Sequence, residues 1–432
     1  MTAKKLIRKI PGFNTMVVPY HRAKAFRAAS KYDYPASGMK VIAVTGTNGK
    51  TTTSFMIHSL LKEAGKKVGL MTTVAYGIND DLKPQIEHMT TVSAGALNRR
   101  IAEMRDAGAE YLVLEVTSHA LAQYRTFGIP IDVAVMTNVT HEHLDYHKTF
   151  KNYVTAKRLL FKNTQHTHKG QHIGIINADD PSAELFAGDI EHPITYGIDN
   201  GDLQARQIKL SPSGFEYYVK VGQNKLHIRS SIPGTFNVYN SLAAVAVGIV
   251  YELTTEQIER GIAALQSVEG RMNRINAGQN FEVVVDFAHT PDSFEKLLSD
   301  FRASTRGKLI VMFGSAGRRD ESKRGAQGEI AGKYGDVVVL TEEDDRDIDG
   351  DEILAQIAKG AERSGKKLDQ DLFKVHDRTK AIEFALKQAT SKDDVVMLLG
   401  KGHEKTIERA DGSHPWNEND VATKILQKLV KG

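Results

Sequence analysis

A short glycine-bearing segment carries the residues best suited to phosphate chemistry. Residues 41–52 read VIAVTGTNGKTT, in which an apolar run leads into a turn and then into a Lys-Thr pair. Backbone N–H groups of such a turn bind anions, Lys50 adds positive charge for the β- and γ-phosphates, and the hydroxyl of Thr51 can ligate Mg²⁺. The segment therefore predicts an ATP site with magnesium. Its predicted cofactor-binding residues are Gly46, Thr47, Asn48, Gly49, Lys50, Thr51 and Thr52.

The spacing of this loop departs from the usual GxxxxGK[ST] pattern, because Val44 stands at the first glycine position. A strand, turn and helix that meet by chance are the alternative to a nucleotide site. The apolar run before the turn and the Lys-Thr pair after it favour the nucleotide site.

Polar side chains follow two further apolar runs. Glu115 ends the run YLVLE, and His143 lies in a polar segment that follows IDVAVMTNV. A single Glu or His at a strand end is usually only solvated. Because parallel strands present their carboxyl ends at one edge of a sheet, two such groups beside a phosphate loop favour a functional site there.

The elements that position these residues follow from the hydrophobic pattern. From residue 41 to about 180, short β-branched runs alternate with helical stretches, which predicts a parallel sheet covered by helices. Strict alternation between about 191 and 232 predicts antiparallel hairpins, and a helix is predicted after Asn240. A second α/β series begins near residue 281. The two series meet near Gly270.

The predicted fold class is α/β. We expect a short N-terminal segment at residues 1–38 and a central ATP-binding domain at residues 39–270, made of a P-loop parallel sheet and a small antiparallel β subdomain. A C-terminal Rossmann-like α/β domain is predicted at residues 271–432.

Composition excludes several classes of protein. The chain has 432 residues, 41% of them hydrophobic and 25% charged, and no apolar run approaches the roughly 20 residues of a membrane span. The net charge of +4 comes from interspersed residues, so no nucleic-acid-binding stripe is predicted. The basic N-terminus lacks the apolar stretch of a secretory signal, and the absence of cysteine excludes thiolate catalysis. We expect a cytoplasmic monomer whose partners are small molecules.

The segment TGTNGKTTT resembles the ATP loop of the Mur ligases and of their folylpolyglutamate synthetase relatives. The resemblance extends over almost the whole chain after residue 40, with the motifs in the family's order. It implies an ATP-dependent amide-bond ligase that works through an acyl phosphate. It also implies two Mg²⁺ ions, with Glu115 and His143 as ligands, and a carbamylated lysine at Lys157, which alone would be a surface helix lysine. The implied catalytic residues are Lys50, Glu115, His143, Lys157 and Arg271.

Three further segments resemble the family's nucleotide contacts. Asn240 in FNVYN matches the residue that meets the adenine, although it could instead cap a helix. Arg271 in GRMNR matches the arginine that reaches the γ-phosphate, while Asn273 departs from the acid that is usual there. Asp286 and His289 in DFAHTPD match the residues at the ribose and the nucleotide.

The resemblance is to the MurE-type branch, which adds a diamino acid to UDP-MurNAc-L-Ala-D-Glu in peptidoglycan synthesis. Arg125 would face a substrate carboxylate, and Glu404 in GKGHE would receive the distal ammonium. The residues implied for the acceptor are Thr90, Thr91, Thr117, Gln123 and Arg125. Those implied for the incoming amino acid are Arg319, Glu343, Asp344, Arg346, Gly400 and Glu404.

The identity of the amino acid stays open at this level. Asp344 and Asp345 replace the Asn and Pro of the branch's DNPR selector. Arg346 favours a second carboxylate, as in meso-diaminopimelate, whereas the added acids favour a plain cationic end, as in lysine.

The region before the loop departs further from this branch, whose members carry an N-terminal domain that binds uridine diphosphate. Only about 40 residues precede the loop here. The acceptor would then bind weakly through its nucleotide or carry another headgroup. Alternatively the stretch HRAKAFRAASKYDY contacts its diphosphate; a capping helix is the structural alternative for that stretch.

Two other functions are compatible with parts of the pattern. A folylpolyglutamate synthetase-like enzyme shares the fold and the acyl-phosphate chemistry, but DFAHTPDS and GKGHE resemble the cell-wall branch. A non-catalytic nucleotide-binding subunit would not be expected to keep the catalytic set together. An ATPase assay with and without acceptor separates an enzyme from such a subunit.

Overall fold

The computed structural model describes residues 18–431 except 88, 169 and 212, and it leaves the side chains at 144, 145 and 431 undescribed. The basic N-terminal residues 1–17, and with them the start of the predicted segment 1–38, lie outside the described residues.

A nine-stranded sheet forms the first half of the fold, in the order β4-β3-β2-β5-β1-β6-β7-β8-β9. Strands β2 and β5 to β9 run parallel to β1, while β3 and β4 form an antiparallel extension that the sequence pattern did not predict. The strands are β1 Lys40–Thr45, β2 Val68–Met71, β3 Ala75–Ile78, β4 Asp81–Pro84, β5 Tyr111–Glu115, β6 Val133–Met136, β7 Ile173–Asn177, β8 His192–Gly197 and β9 Leu203–Gln204.

Helices cover this sheet, as the alternating pattern predicts. The helix after β1 buries Met56, Ile57 and Leu60 against the sheet. The helices of this half are α1 Val18–Lys31, α2 Lys50–Glu63, α3 Ala94–Asp106, α4 Ser118–Ala122, α5 Leu144–His147, α6 Phe150–Gln165 and α7 Ala183–Ala187.

A separate antiparallel sheet follows, of strands β10 Arg206–Ser211, β11 Gly214–Val221 and β12 Asn224–Ser230. The antiparallel region therefore begins near residue 206 and not near 191, because β8 and β9 continue the parallel sheet. Two helices come next, α8 Thr235–Val250 and α9 Thr255–Ala264. Helix α8 starts five residues before Asn240, earlier than predicted.

The C-terminal half is built on a six-stranded sheet in the order β13-β14-β18-β15-β16-β17, parallel except for β13. A short antiparallel pair, β19 with β20, stands beside it. The strands are β13 Asn273–Arg274, β14 Glu282–Asp286, β15 Leu309–Phe313, β16 Val337–Leu340, β17 Leu372–Lys374, β18 Val395–Leu399, β19 Thr406–Arg409 and β20 Gly412–Pro415. The helices are α10 Pro291–Ser304, α11 Ser322–Tyr334, α12 Gly350–Arg363, α13 Arg378–Gln388 and α14 Glu418–Lys431.

The strand register brings the predicted site together at one sheet edge. In the pairing of β1 with β5, Val44 lies opposite Glu115, and in the pairing of β1 with β6, Thr45 lies opposite Met136. The phosphate loop, Glu115 and the segment after β6 therefore leave neighbouring strands side by side. Among the described helices, none is both long and apolar enough to cross a membrane.

Candidate active site

The conformation of the phosphate loop depends on Gly49 and on hydrogen bonds from the segment that follows β6. Gly49 caps helix α2 with φ 82°, and a Cβ built on it would lie 2.3 Å from Asn240 Oδ1. Asn138 Oδ1 accepts a hydrogen bond from the N–H of Asn48 at 3.0 Å, and Thr137 Oγ1 donates to the carbonyl of Asn48 at 2.7 Å. The loop therefore keeps its shape through contacts with the neighbouring strand end.

Replacement of Gly49 by alanine is expected to damage this loop. The left-handed backbone and the clash with Asn240 together should cost about 1–3 kcal/mol of folding stability, and the KM for ATP should rise. Gly95→Ala is the matched control, since Gly95 lies inside helix α3 with open space around its Cβ position. Thermal unfolding and ATP titration check both variants, and equal behaviour of the two would contradict the expected role of Gly49.

Lys50 extends back over the loop. Its Nζ donates to the carbonyl of Thr47 at 2.7 Å, as a lysine does when it closes over a phosphate-binding turn. Burial lowers the pKa of Lys50, while the negative charges of Glu115 and Glu142 oppose that shift and Arg271 adds to it. An anionic ligand beside Lys50 would restore the favourable charge balance.

Glu115 and Thr51 place oxygen atoms beside the loop. Glu115 is buried, and its Oε2 accepts hydrogen bonds from Thr51 Oγ1 at 3.0 Å and from both the N–H and the Oγ1 of Thr73, at 2.9 and 3.0 Å. Within the described part of the chain, no group of three or more His, Asp or Glu side chains forms a metal site. One carboxylate with one hydroxyl nevertheless fits Mg²⁺, which commonly takes one or two protein carboxylates and completes its shell with phosphate and water.

Lys157 is buried at the opposite side of the same loop, and not on the surface of its helix α6. Its Nζ donates to the carbonyl of Gly46 at 2.5 Å and lies 4.5 Å from the ring centroid of Tyr153. Burial, followed by the positive charge of Lys50, holds the pKa of Lys157 well below its usual value. This direction favours the neutral amine over the ammonium form.

His143 and Glu142 lie between the two halves of the molecule. His143 has a left-handed backbone with φ 56°, and its Nε2 is 3.5 Å from Glu142 Oε2. Glu142 Oε1 is also 3.1 Å from His289 Nε2 in the C-terminal half. Burial alone would raise the pKa of Glu142, but His143, His289 and Lys50 together hold it below its ordinary value.

Arg271 reaches the same loop from the start of the C-terminal half. Its Nη2 donates to Thr51 Oγ1 at 3.3 Å, and its guanidinium lies 4.7 Å from the ring centroid of Phe287. The Nε of Arg271 is buried without a hydrogen-bond partner among the described residues. An unpaired guanidinium N–H beside the phosphate loop is suited to an anionic oxygen.

Asn240 and Asp286, which are predicted to contact the adenosine, form hydrogen bonds within the protein. Asn240 Oδ1 accepts from Thr53 Oγ1 at 3.2 Å, and its Nδ2 donates to Asn237. The alternative that Asn240 caps a helix is wrong, because helix α8 begins at Thr235 and contains it. The two carboxylate oxygens of Asp286 accept the N–H groups of Met272 and Ala288.

The residues predicted to bind the acceptor cluster at the end of β5. Arg125 donates to the carbonyl of Thr91 at 2.5 Å and to Gln123 Oε1 at 2.7 and 3.1 Å, and it forms no ion pair with a described carboxylate. Thr91 Oγ1 in turn accepts from the N–H of Thr117 at 3.1 Å. Thr90 lies half-buried next to Thr91.

The predicted amino-acid selector contains an internal cation that sequence reasoning missed. Lys401 is buried, and its Nζ donates to Asp344 Oδ1 at 2.8 Å and to Glu404 Oε2 at 2.5 Å. Arg346 donates to the carbonyl of Gly317, and its Nη2 lies 3.6 Å from Asp344 Oδ2. Glu404 is thus already paired within the chain.

Two further members of the selector differ in their surroundings. Glu343 is buried, and no described residue donates a hydrogen bond to its carboxylate. This carboxylate lies against the turn at Gly400, whose φ is 101°. Arg319 is exposed and has no bonded partner in the described part of the chain. The structure therefore brings Glu343, Asp344, Arg346, Gly400 and Glu404 together and leaves Arg319 apart.

Sequence reasoning also missed Glu142, Thr73 and Asp292. Asp292 Oδ2 accepts from Asn48 Nδ2 of the phosphate loop at 2.9 Å, across the two halves. Glu142 lies between Thr137 and His143, in the polar segment for which the sequence already predicts a functional site. Its position in the sequence could therefore have identified it. Asp292 ends the segment DFAHTPD, so its position was a signal as well. Thr73 carries no such signal, because only the fold brings it to the loop.

The sequence is similar to known proteins over almost its whole length. The Mur ligase middle domain matches residues 44–248, and the Mur ligase glutamate ligase domain matches residues 270–402. A UDP-N-acetylmuramoyl-L-alanyl-D-glutamate--2,6-diaminopimelate ligase of Clostridium acetobutylicum is 37% identical over 430 residues, which cover 98% of this chain and 86% of that relative.

Solved structures agree on the fold. A UDP-N-acetylmuramoyl-L-alanyl-D-glutamate--2,6-diaminopimelate ligase superposes with a TM-score of 0.63 at 29% identity, over 92% of this chain and 80% of the other. Folylpolyglutamate synthase of Mycobacterium tuberculosis gives a TM-score of 0.72 over 94% of both chains, but at 15% identity it shows the shared fold alone. The chain belongs to the Mur ligase family, whose members are ATP-dependent ligases that release ADP and phosphate.

Proposed function

We propose that this enzyme joins a diamino acid to UDP-MurNAc-L-Ala-D-Glu during the synthesis of peptidoglycan precursors. The proposal depends on a cluster of five polar side chains in contact with one another or with the phosphate loop. The chain is also 37% identical to a ligase named for that reaction. The group consists of Lys50, Thr51, Glu115, Lys157 and Arg271.

The chemistry requires activation of a carboxylate. One oxygen of the acceptor carboxylate attacks the γ-phosphorus of ATP, the bond from that phosphorus to the β-phosphate oxygen breaks, and ADP leaves. The neutral amine of the incoming amino acid then attacks the carbonyl carbon of the acyl phosphate. Inorganic phosphate leaves, and the nitrogen loses a proton to give the amide.

Lys50 and Arg271 would stabilise the first of these steps. Two anions must approach each other, and both cations reach the phosphate loop, where Lys50 contacts Thr47 and Arg271 contacts Thr51. Positive charge held in place before the reaction lowers the barrier, since no reorganisation is needed as charge shifts in the transition state.

Two Mg²⁺ ions complete the proposed site. Thr51 and Glu115 would hold one ion, and His143 with a carbamylated Lys157 would hold the other. When bound, Mg²⁺ neutralises phosphate charge and orients the transferring group. The lowered pKa of Lys157, caused first by burial, supports the modification, because only an unprotonated amine adds to CO₂.

The acceptor would lie along the end of β5, with a carboxylate on Arg125. That guanidinium has only neutral partners in the described structure, the oxygens of Thr91 and Gln123 and the sulfur of Met89, so an anionic group would improve its environment. Thr90, Thr91, Thr117 and Gln123 would line the same surface.

The charges around the selector favour an amino acid with a plain cationic end, such as lysine, over meso-diaminopimelate. Asp344 and Glu404 together offset Arg346 and Lys401, which leaves little net positive charge for a second substrate carboxylate. Burial raises the pKa of Glu404, as do the nearby charges of Asp344 and Glu343, although Lys401 opposes this. An ammonium group would relieve that crowding of acids.

Replacement of Asp344 by asparagine tests this preference. We expect the wild-type enzyme to use L-lysine, and Asp344→Asn to shift the ratio of kcat/KM values toward meso-diaminopimelate by about tenfold, because one unfavourable charge is removed. Asp347→Asn is the control, since Asp347 is a half-exposed neighbour that pairs with Arg318. An unchanged ratio in Asp344→Asn, in a variant that melts normally, would contradict the role of Asp344.

Phosphate release from ATP tests the function itself. The assay compares UDP-MurNAc-L-Ala-D-Glu with a folate monoglutamate as acceptor, and lysine, meso-diaminopimelate and glutamate as amine. Release that depends on the muramyl acceptor and on one diamino acid supports the proposal. Release with folate and glutamate would favour a folylpolyglutamate synthetase-like enzyme, and release with neither acceptor would favour a different headgroup or a non-catalytic subunit.

We further propose that the enzyme acts as a monomer in the cytoplasm, with domains at residues 39–270 and 271–432. A second, separate parallel sheet begins at β14, and this supports a domain boundary near Gly270. Size-exclusion chromatography with light scattering measures the oligomeric state.

A further inference from the structure

A fully buried ion pair lies behind the predicted amino-acid selector. Arg378 is the first residue of helix α13, and Glu418 is the first residue of helix α14. The Nε and Nη2 atoms of Arg378 donate to the two carboxylate oxygens of Glu418 at 2.9 and 2.7 Å, and both side chains are completely buried. Removing two charges from water costs free energy, and apolar residues of similar volume are often as stabilising. The pair therefore indicates a constraint on geometry.

The guanidinium of Arg378 also binds the two chain segments that form the selector. Its Nη1 donates to the carbonyl of Glu342 at 2.9 Å, and its Nη2 donates to the carbonyl of Leu399 at 2.8 Å. Glu342 directly precedes Glu343, and Leu399 directly precedes Gly400. The two segments leave the sheet after β16 and β18, which are not neighbours because β15 lies between them. One side chain therefore bridges both segments.

Glu342 is held in place by a second arginine. Its carboxylate accepts hydrogen bonds from the backbone N–H of Arg378 at 3.2 Å and from Nε and Nη2 of Arg409 at 2.8 and 2.7 Å. Arg409 ends strand β19, where the N–H of Glu408 donates to Asp344 Oδ1 at 3.0 Å. Burial alone would raise the pKa of Glu342, but the hydrogen bonds from Arg409 and Arg378 hold it below its usual value.

A guanidinium is required for this set of contacts. Arg378 makes four hydrogen bonds of 2.9 Å or less, two to Glu418 and one to each of the two carbonyls. A lysine ammonium has three N–H donors on one nitrogen and cannot place them along the edges of a plane. A lysine at this position would keep the positive charge opposite Glu418 but would not hold both carbonyls.

We propose that Arg378 is a positioning residue for the incoming amino acid. By holding the carbonyls of Glu342 and Leu399, it sets the distance between the selector segment 343–346 and the turn 400–404. The amino acid would bind between these two segments, and Arg378 itself does not touch it. This inference rests on the proposed function, since it takes both segments to bind the amine substrate.

Arg378→Lys tests this role while it keeps the buried positive charge. The KM for the amino acid should rise about 10- to 100-fold, because small displacements of groups that orient a substrate have effects of up to about this size. The KM for ATP, the KM for the acceptor and kcat at saturating amino acid should stay close to wild type. Phosphate release at varied amino-acid concentration measures these values. An unchanged KM for the amino acid in the folded variant would overturn the proposal.

Arg363→Lys is the matched control. Arg363 ends helix α12, and its guanidinium also donates to a carboxylate and to a carbonyl, those of Glu329 at 3.0 Å and Gly325 at 3.3 Å. These partners lie outside the selector, and the side chain of Arg363 is exposed. The same substitution there should leave the KM for the amino acid within about twofold. Equal increases in the two variants would show an effect unrelated to positioning and would overturn the proposal.

Tryptophan fluorescence separates a change of position from a loss of packing. Trp416 is the single tryptophan of the chain, and its Nε1 donates to Glu418 Oε2 at 2.7 Å. Its emission maximum therefore reports whether the buried pair stays packed. A raised KM for the amino acid in Arg378→Lys, with an emission maximum like that of the wild type, supports positioning.

Arg409→Ala decides the question if Arg378→Lys does not fold. The side chain of Arg409 is 43% exposed, so its loss should leave the fold intact while it frees one side of Glu342. The KM for the amino acid should rise about three- to fivefold, the size expected for loss of a partly exposed ion pair. No increase in this variant would overturn the proposal.

Direct binding separates this inference from the proposed function. With a non-hydrolysable ATP analogue bound, calorimetry compares L-lysine, meso-diaminopimelate and L-glutamate on the wild type, Arg378→Lys and Arg363→Lys. Weaker binding in Arg378→Lys alone supports positioning even if the muramyl acceptor proves inactive in phosphate release. Equal binding by all three proteins, or no binding of any amino acid by the wild type, overturns the inference even if the muramyl acceptor is used.

Discussion

Lys50→Ala is expected to lower acceptor-dependent phosphate release at least about 1,000-fold. Lys50 is the cation that closes over the phosphate loop, with its Nζ 2.7 Å from the carbonyl of Thr47. Loss of a single preorganised charge or donor in a phosphoryl-transfer site costs about 10²- to 10⁵-fold in rate. Single-turnover phosphate release at saturating ATP measures the effect on the chemical step.

Lys62→Ala is the matched control for this prediction. Lys62 lies on the same helix α2 but pairs with Asp80 at the surface, so its loss should leave the rate within about twofold of wild type. Lys50→Arg keeps the charge but replaces a compact ammonium with a larger, planar guanidinium group. This variant should recover only part of the wild-type rate of phosphate release. Normal turnover of Lys50→Ala would show that the loop is not the phosphate site.

The second large effect concerns Lys157. We expect Lys157→Met to reduce kcat about 100- to 1,000-fold, because it removes the proposed anionic metal ligand while roughly keeping the volume of a buried side chain. Lys162→Ala, on the exposed face of the same helix α6, is the control and should retain activity.

Carbon dioxide provides the direct test of the modification at Lys157. The neutral amine attacks the carbon of CO₂ and loses one proton, which leaves a carbamate. Burial and Lys50 lower the pKa of Lys157, so labelling with ¹³C-bicarbonate should give a carbamate signal at a pH where ordinary lysines stay protonated. The signal should be absent in Lys157→Met and present in Lys162→Ala. No signal in the wild type, with a rate that is independent of CO₂, would contradict the modification.

Two predictions were wrong for the same physical reason. A local sequence pattern does not specify which distant strand or helix an element packs against. Alternation of side chains near residue 192 is compatible with either parallel or antiparallel pairing, and β8 proved to be parallel. Asn240 is a residue type suited to a helix cap, yet helix α8 begins at Thr235, and the side chain of Asn240 accepts a hydrogen bond from Thr53 of helix α2. Both cases were decided by a neighbouring element.

The selector shows the same limit at the level of charge. The sequence presents Asp344, Asp345 and Glu404 as free acids, and an incoming ammonium group as the partner for Glu404. In the structure, Lys401 pairs with Asp344 and Glu404, and Asp345 Oδ2 lies 2.8 Å from His376. A lysine three residues from Glu404 was visible in GKGHE, but its partners depend on how the segments after β18 and β16, two strands on either side of β15, leave the sheet.

The amino-acid sequence by itself determined the α/β class, the phosphate loop and the polar groups at the strand ends. These are local properties, since a glycine turn after an apolar run and a carboxylate at a strand end need only short-range geometry. Tertiary structure alone decided that Lys157 is buried against Gly46, that Glu142 meets His289, and that helix α1 lies beside the segment of Arg125. Burial and long-range charge set those side chains' partners and protonation, and both arise only when the strands and helices pack together.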